Sequence, residues 1–188
     1  MDPSEAREHL DLVDRILTET DRSLCVIGDV FVAWGLVAAA IDVVFQLALT
    51  GRAQGWWAWL PLVLIPAAIA YTVVRSLQAK SASERMTIAG RDYLNVVWVV
   101  FGLMAVAQTA AFHLFPGWSG AALWTLAGAI ITFYIALRGD RAALLGGIVL
   151  LASMIVASFV PAYCGWILAG GMLIGYSGFG VAAMTRND

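Results

Sequence analysis

Six apolar runs, at residues 24–49, 56–74, 93–115, 121–137, 142–160 and 166–184, constrain this chain more than any other feature. About 20 helical residues cross the hydrocarbon core of a bilayer, and each run has the 17 or more that a span requires. The connections are short, TGRAQG, PGWSG, RGDR and PAYCG, apart from one polar stretch, RSLQAKSASERMTIAGRD. Hydrophobic residues make up 61% of the chain and charged residues 13%. Soluble domains hold roughly half and a quarter, so too little polar surface remains to clothe a globule in water. The pattern predicts an all-α integral membrane protein. Residues 24–188 form six transmembrane helices arranged as three helical hairpins, and residues 1–23 form a separate amphipathic helix.

The hairpin reading comes from rhyming segments. The even helices end in IAYTVVR (69–75), TFYIALR (132–138) and GFGVAAMTR (178–186), with an aromatic residue four or seven positions before an arginine. The turns at the other end also echo one another: FQLALTGRAQGWW (45–57), FHLFPGWSG (112–120) and ASFVPAYCGW (157–166). On these residues, and on FPGWSGAALWTLAGAIITFYIALRG (115–139) above all, the chain resembles the HdeD-type small membrane proteins. That resemblance implies a multi-spanning helical fold built from hairpins, with no particular chemistry.

Ten basic residues, Arg7, Arg15, Arg22, Arg75, Lys80, Arg85, Arg91, Arg138, Arg141 and Arg186, fall on one side of the alternating topology, and Arg52 alone on the other. The positive-inside rule then puts both termini in the cytoplasm of a bacterial-type inner membrane. Trp56, Trp57, Trp59, Trp118, Tyr163 and Trp166 fall at the outer ends, as an interfacial belt does. The start is charged and shows no cleavage site after a short apolar core, so no signal peptide is expected. No basic patch is dense enough for nucleic acid. Cys25 and Cys164 lie at opposite ends of the spans, too far apart for a disulfide.

Residues 3–22 carry Leu10, Val13 and Leu17 at helical spacing, with Leu12 and Ile16 alongside and charges opposite. Asp2 or Ser4 can cap this helix, and Pro3 is tolerated in its first turn. Its apolar stripe needs a cover: the headgroup layer, the polar stretch 75–92, or a cytoplasmic protein partner.

Inside the spans, chemistry is sparse. Gly28, Gly35, Ala39, Asp42 and Gln46 share one face of the first helix, and small residues let a second helix approach closely. That face therefore points into the bundle and carries a carboxyl with it. An acid near the bilayer centre costs about 2.5–3.5 kcal/mol on insertion scales, so Asp42 is expected to be neutral or hydrogen-bonded. By depth, Thr109, His113 and Ser158 are its candidate neighbours. Asp42, Gln46, Thr109, His113 and Ser158 thus form a candidate polar pocket, weighed against a simple interhelical hydrogen bond. Asp29 can snorkel, or pair with Arg91 or Asn95. Gly171, Gly175 and Gly178 form a small-residue row for close packing within the bundle or against a second copy, and Gly128 and Thr132 act alike on the fourth helix.

Other classes are excluded by what is missing. The two histidines, His9 and His113, lie on opposite sides, so no bis-histidine haem is held. No span carries a lysine for a Schiff base, and no CxxC, GxSxG, HExxH or Walker loop occurs. Asp29 and Asp42 stand on different faces and make no aspartyl dyad. No cofactor, metal or enzyme activity is expected. The leading expectation is an accessory or sensory membrane component that contacts a partner through its N-terminal helix, alone, as a homo-oligomer or in a larger complex. The alternative is a small-solute binder or transporter. In size and topology it looks like the substrate-capture subunits of energy-coupling-factor vitamin transporters, with Asp42 at its pocket.

Overall fold

Helix ends organise this chain, because each apolar run has to stop where its backbone groups can still be satisfied. The computed structural model describes residues 12, 28–52, 55–82, 88–111 and 118–185. Apart from the exposed, helical Leu12, the expected N-terminal helix lies outside the described residues. The first helix, α1 (Gly28–Leu49), closes on Gly51 at φ 69°. The Arg52 amide donates to the Leu47 carbonyl at 2.8 Å and the Gly51 amide to Ala48 at 3.1 Å, the pairing of a Schellman cap. A 3₁₀ turn, Gly55–Trp59, leads into α2 (Leu60–Ala82), followed by α3 (Ile88–Ala111) and α4 (Trp118–Ala136).

A tight turn follows α4. Gly139 takes φ 97°, which a side chain resists, and Asp140 then caps α5 (Arg141–Phe159). Its Oδ1 accepts from the amides of Ala142 at 2.9 Å and Ala143 at 3.1 Å. A side-chain cap of this kind is worth ~1 kcal/mol. The chain ends in one unbroken rod, Pro161–Thr185. It opens with a 3₁₀ turn (Pro161–Tyr163) and continues as α6 (Cys164–Gly171), a π-helical turn (Met172–Ser177) and α7 (Gly178–Thr185).

Among the described residues all regular structure is helical. Four helices are long and apolar enough to cross a membrane: Gly28–Leu49, Leu60–Gln78, Arg141–Phe159 and Pro161–Thr185. Asn95–Ala107 and Gly120–Ala136 are shorter apolar helices. The polar stretch after residue 74, expected as a loop, instead extends α2 to Ala82. Its leucine, glutamine, alanine and lysine are all good helix formers.

Aromatic rings knit the helices together. Phe31 of α1 packs on Tyr176 and Phe179 of the rod, both at 4.8 Å between centroids. A second ladder runs from Trp34 through Phe101 of α3, at 5.2 Å, to Trp124 of α4, at 5.7 Å. Edge-to-face and offset pairs of this kind add about 0.5–1.5 kcal/mol beyond burial. Between α4 and α5, Gly147 leaves room for Thr132 and Phe133, each 3.0 Å from where a Cβ would stand. The Thr132 hydroxyl, fully buried, satisfies itself on the carbonyls of Gly128 and Ala129 at 3.0 and 2.9 Å. α2 joins α1 through the indole of Trp34, which donates to the Thr72 hydroxyl at 2.9 Å.

Candidate functional site

α1 and the C-terminal rod run antiparallel and approach closely enough for their backbones to touch. Three glycines set this approach. A Cβ on Gly28 would stand 2.8 Å from the Gly180 carbonyl oxygen, one on Gly35 2.8 Å from Ser177 N, and one on Gly165 2.7 Å from the Asp42 carbonyl oxygen. Backbone thus meets backbone along the whole seam. From Gly28 to Asp42 α1 advances fourteen residues, while from Gly165 to Gly180 the rod advances fifteen. The π turn Met172–Ser177 reconciles the two, because it accommodates an extra residue and keeps both glycines on the α1 side. The Ser177 hydroxyl then donates to the Val32 carbonyl at 3.2 Å.

The opposite face of the rod meets α5. Gly171 faces the Ser153 side chain, and a Cβ on Gly175 would stand 2.8 Å from the Gly146 carbonyl oxygen. Of the expected glycine rows, Gly28, Gly35, Gly171 and Gly175 are used inside the bundle, and Gly178 is exposed. The π turn explains the exception. Its backbone rotates less per residue, so a four-residue step stays in line and a three-residue step falls short. The row therefore runs 171, 175, 179, with Phe179 against Gly146.

At the Arg52 end of this seam sit Asp42 and Gln46. Gln46, buried, uses both ends of its amide. Nε2 donates to the Ala162 carbonyl at 2.8 Å, and Oε1 accepts from the Gly165 amide at 2.9 Å. The Gly165 amide is one of the first N–H groups of α6, which have no partner within their own helix. Gln46 therefore caps a helix from a neighbouring one. Asp42 is 6% exposed, and among the described residues no donor reaches its carboxyl. Its titratable neighbour is the buried Cys164, the first residue of α6. Asp42 is level with Gly165, four residues into the rod, which is about 6 Å from the rod's end at 1.5 Å per residue. It stands near an end of the bundle rather than at its middle.

The other expected pocket residues are placed differently. Ser158 is exposed and gives its hydroxyl to the Ile155 carbonyl of its own helix at 2.6 Å, away from the α5 face that carries Ser153 and Ala157. Thr109 lies on α3, and its side chain and all of His113 fall outside the described residues. Asp29 pairs with α2 rather than with Asn95, and the Arg91 side chain lies outside the described residues. Asp29 Oδ2 accepts from Arg75 Nε and from the Tyr71 hydroxyl, the latter at 2.9 Å, because α2 runs back along α1 and brings its 71/75 pair level with Asp29. In the matching pair the Arg138 guanidinium donates to the Tyr134 hydroxyl at 2.9 Å, with the cation 5.2 Å above the ring. Cys164 and Gly165 were not legible as partners of Asp42, since PAYCGW reads as a turn when the rod is expected to begin at 166.

Fold and seam together define a helical protein with membrane-length helices and one buried acid at a glycine-packed interface. Among the described residues no three His, Cys, Asp or Glu side chains converge to hold a metal. Comparison with protein families, with curated proteins and with solved structures finds no match.

Proposed function

We propose that the chain is a six-span, non-enzymatic protein of a bacterial-type inner membrane, with both termini cytoplasmic, acting as an accessory or sensory component. Besides the four long helices, α3 and α4 have 24 and 19 residues and rise about 36 and 28 Å, enough for two further spans. The reading is carried by how the polar side chains are used. Gln46, Ser177 and Trp34 close on neighbouring helices and hold them in register, while Thr132 closes on carbonyls of its own helix. Groups engaged this way are not free to act on a substrate, which leaves the N-terminal helix as the contact with a partner. The full chain should run as a higher-mass species in mild-detergent extracts, and deleting residues 1–22 should remove that species while leaving the melting temperature of the purified bundle unchanged. An unchanged mass distribution would overturn the proposal.

One observation favours the second reading, a small-solute site at Asp42: the residue is 6% exposed, and no hydrogen bond from the described residues reaches its carboxyl. Intramembrane ionisable groups are commonly sites. Under that reading a bound solute raises the melting temperature, and Asp42→Asn and His113→Ala abolish the rise. A rise that survives both substitutions counts against it.

A further inference from the structure

The geometry points to Asp42 as the binding site for a small monovalent cation, a proton or Na⁺, taken from the aqueous phase at the Arg52 end of the bundle. This rests on the reading of Asp42 as a site and names what the site takes.

A carboxylate only accepts hydrogen bonds, so what it lacks in a buried position is a donor or a positive charge. The described residues supply neither. The neighbouring amide of Gln46 is turned to the rod, with Nε2 donating to the Ala162 carbonyl and Oε1 accepting from the Gly165 amide, and it makes no hydrogen bond to Asp42. On the rod, the titratable side chain beside Asp42 is Cys164. The residues of α4 and α5 around Cys164 are Ala121, Met154 and Ala157, all uncharged. Arg75, Arg138 and Arg141 belong to the opposite end, where Asp29 and the turn after α4 lie. Arg52 is exposed in its turn, and no ion pair reaches Asp42 from the described residues. An unpaired buried carboxylate costs several kcal/mol, so a charge from outside is strongly favoured. The route is short. Asp42 is level with Gly165, and the residues beyond it at the rod's end, Pro161, Ala162 and Tyr163, are all exposed.

The test uses dicyclohexylcarbodiimide, an apolar reagent that adds as a stable N-acylurea to protonated carboxyls in apolar surroundings, with peptide mass spectrometry to locate the adduct. The full chain in detergent should be labelled at Asp42. Labelling that falls as pH rises identifies a proton. Labelling that also falls at constant pH when NaCl replaces choline chloride identifies Na⁺. Asp42→Asn should remove the adduct, and with it any effect of Na⁺ on the melting temperature. Labelling that ignores both pH and Na⁺ overturns the proposal. So does a native Asp42 that stays unlabelled while the same residue reacts in denaturing detergent. The solute reading fails separately: organic solutes that leave the melting temperature untouched refute it and leave a cation effect on labelling intact.

Discussion

Gly35→Ala should lower the melting temperature of the detergent-solubilised protein more than an alanine at any glycine with open space around it. The added Cβ would stand 2.8 Å from the Ser177 amide nitrogen and 3.0 Å from the Met172 carbonyl oxygen, besides the Ser177 hydroxyl. Two of these three are backbone, and they belong to the π turn, so neither can swing aside as a side-chain tip would. Overpacking a well-filled interior costs about 1–3 kcal/mol, and with backbone on the receiving side the upper part of that range is expected. Gly102→Ala is the control. Among the described residues nothing lies within 4 Å of its Cβ, and alanine is about 1 kcal/mol better than glycine in a helix, so this variant should match or exceed the parent. Thermal unfolding followed by circular dichroism reads both. If Gly35→Ala melted with Gly102→Ala, the backbone-to-backbone seam would not be where the rigidity of the bundle lies.

The same comparison shows what the sequence could and could not display. The inward face of α1 was legible because Gly28, Gly35, Asp42 and Gln46 recur at the period of a plain α-helix, and α1 is one. The rod was legible only in part. Gly171 and Gly175 follow the rule of three and four, but the π turn after them breaks the period, so Gly178 was counted in and Gly180, which does face α1, was not. A π turn depends on tertiary fit, here one extra residue over the length of the seam, and no local composition announces it. Gly146 and Gly165 escaped notice for a related reason: a glycine marks a close approach only when its neighbour is known. The partner of Asp29 was misplaced because long side chains reach several helix positions, and the direction in which α2 returns decides which arginine arrives. Capping was the clearest signal. RGDR reads as a turn, and Gly139 and Asp140 make it one.

Gln46→Leu should loosen the first turns of the rod without unfolding the α4–α5 pair. Leucine keeps much of the volume and removes both hydrogen bonds, so the Gly165 amide and the Ala162 carbonyl lose their partners together. The two losses are unequal. Gly165 is buried, and an orphaned buried donor costs about 1–3 kcal/mol. Ala162 is exposed at the rod's end, where water can replace the amide, so its share is smaller. Gln46→Glu separates the two bonds. Once ionised it can still accept from Gly165 but can no longer donate to Ala162, and it places a second carboxyl one turn from Asp42. Its stability should fall between parent and Gln46→Leu in low pH buffer, and drift toward Gln46→Leu as the pH rises and two like charges share one face. Amide hydrogen exchange is the discriminating measurement. Faster exchange confined to residues 162–168 marks Gln46 as the cap of the rod, whereas uniform acceleration through α4 and α5 would make it one packing contact among many. That distinction bears on Asp42 directly. Only a rod end held by Gln46 keeps Cys164 and Gly165 pressed against the acid, and only then is the carboxyl denied water on that side.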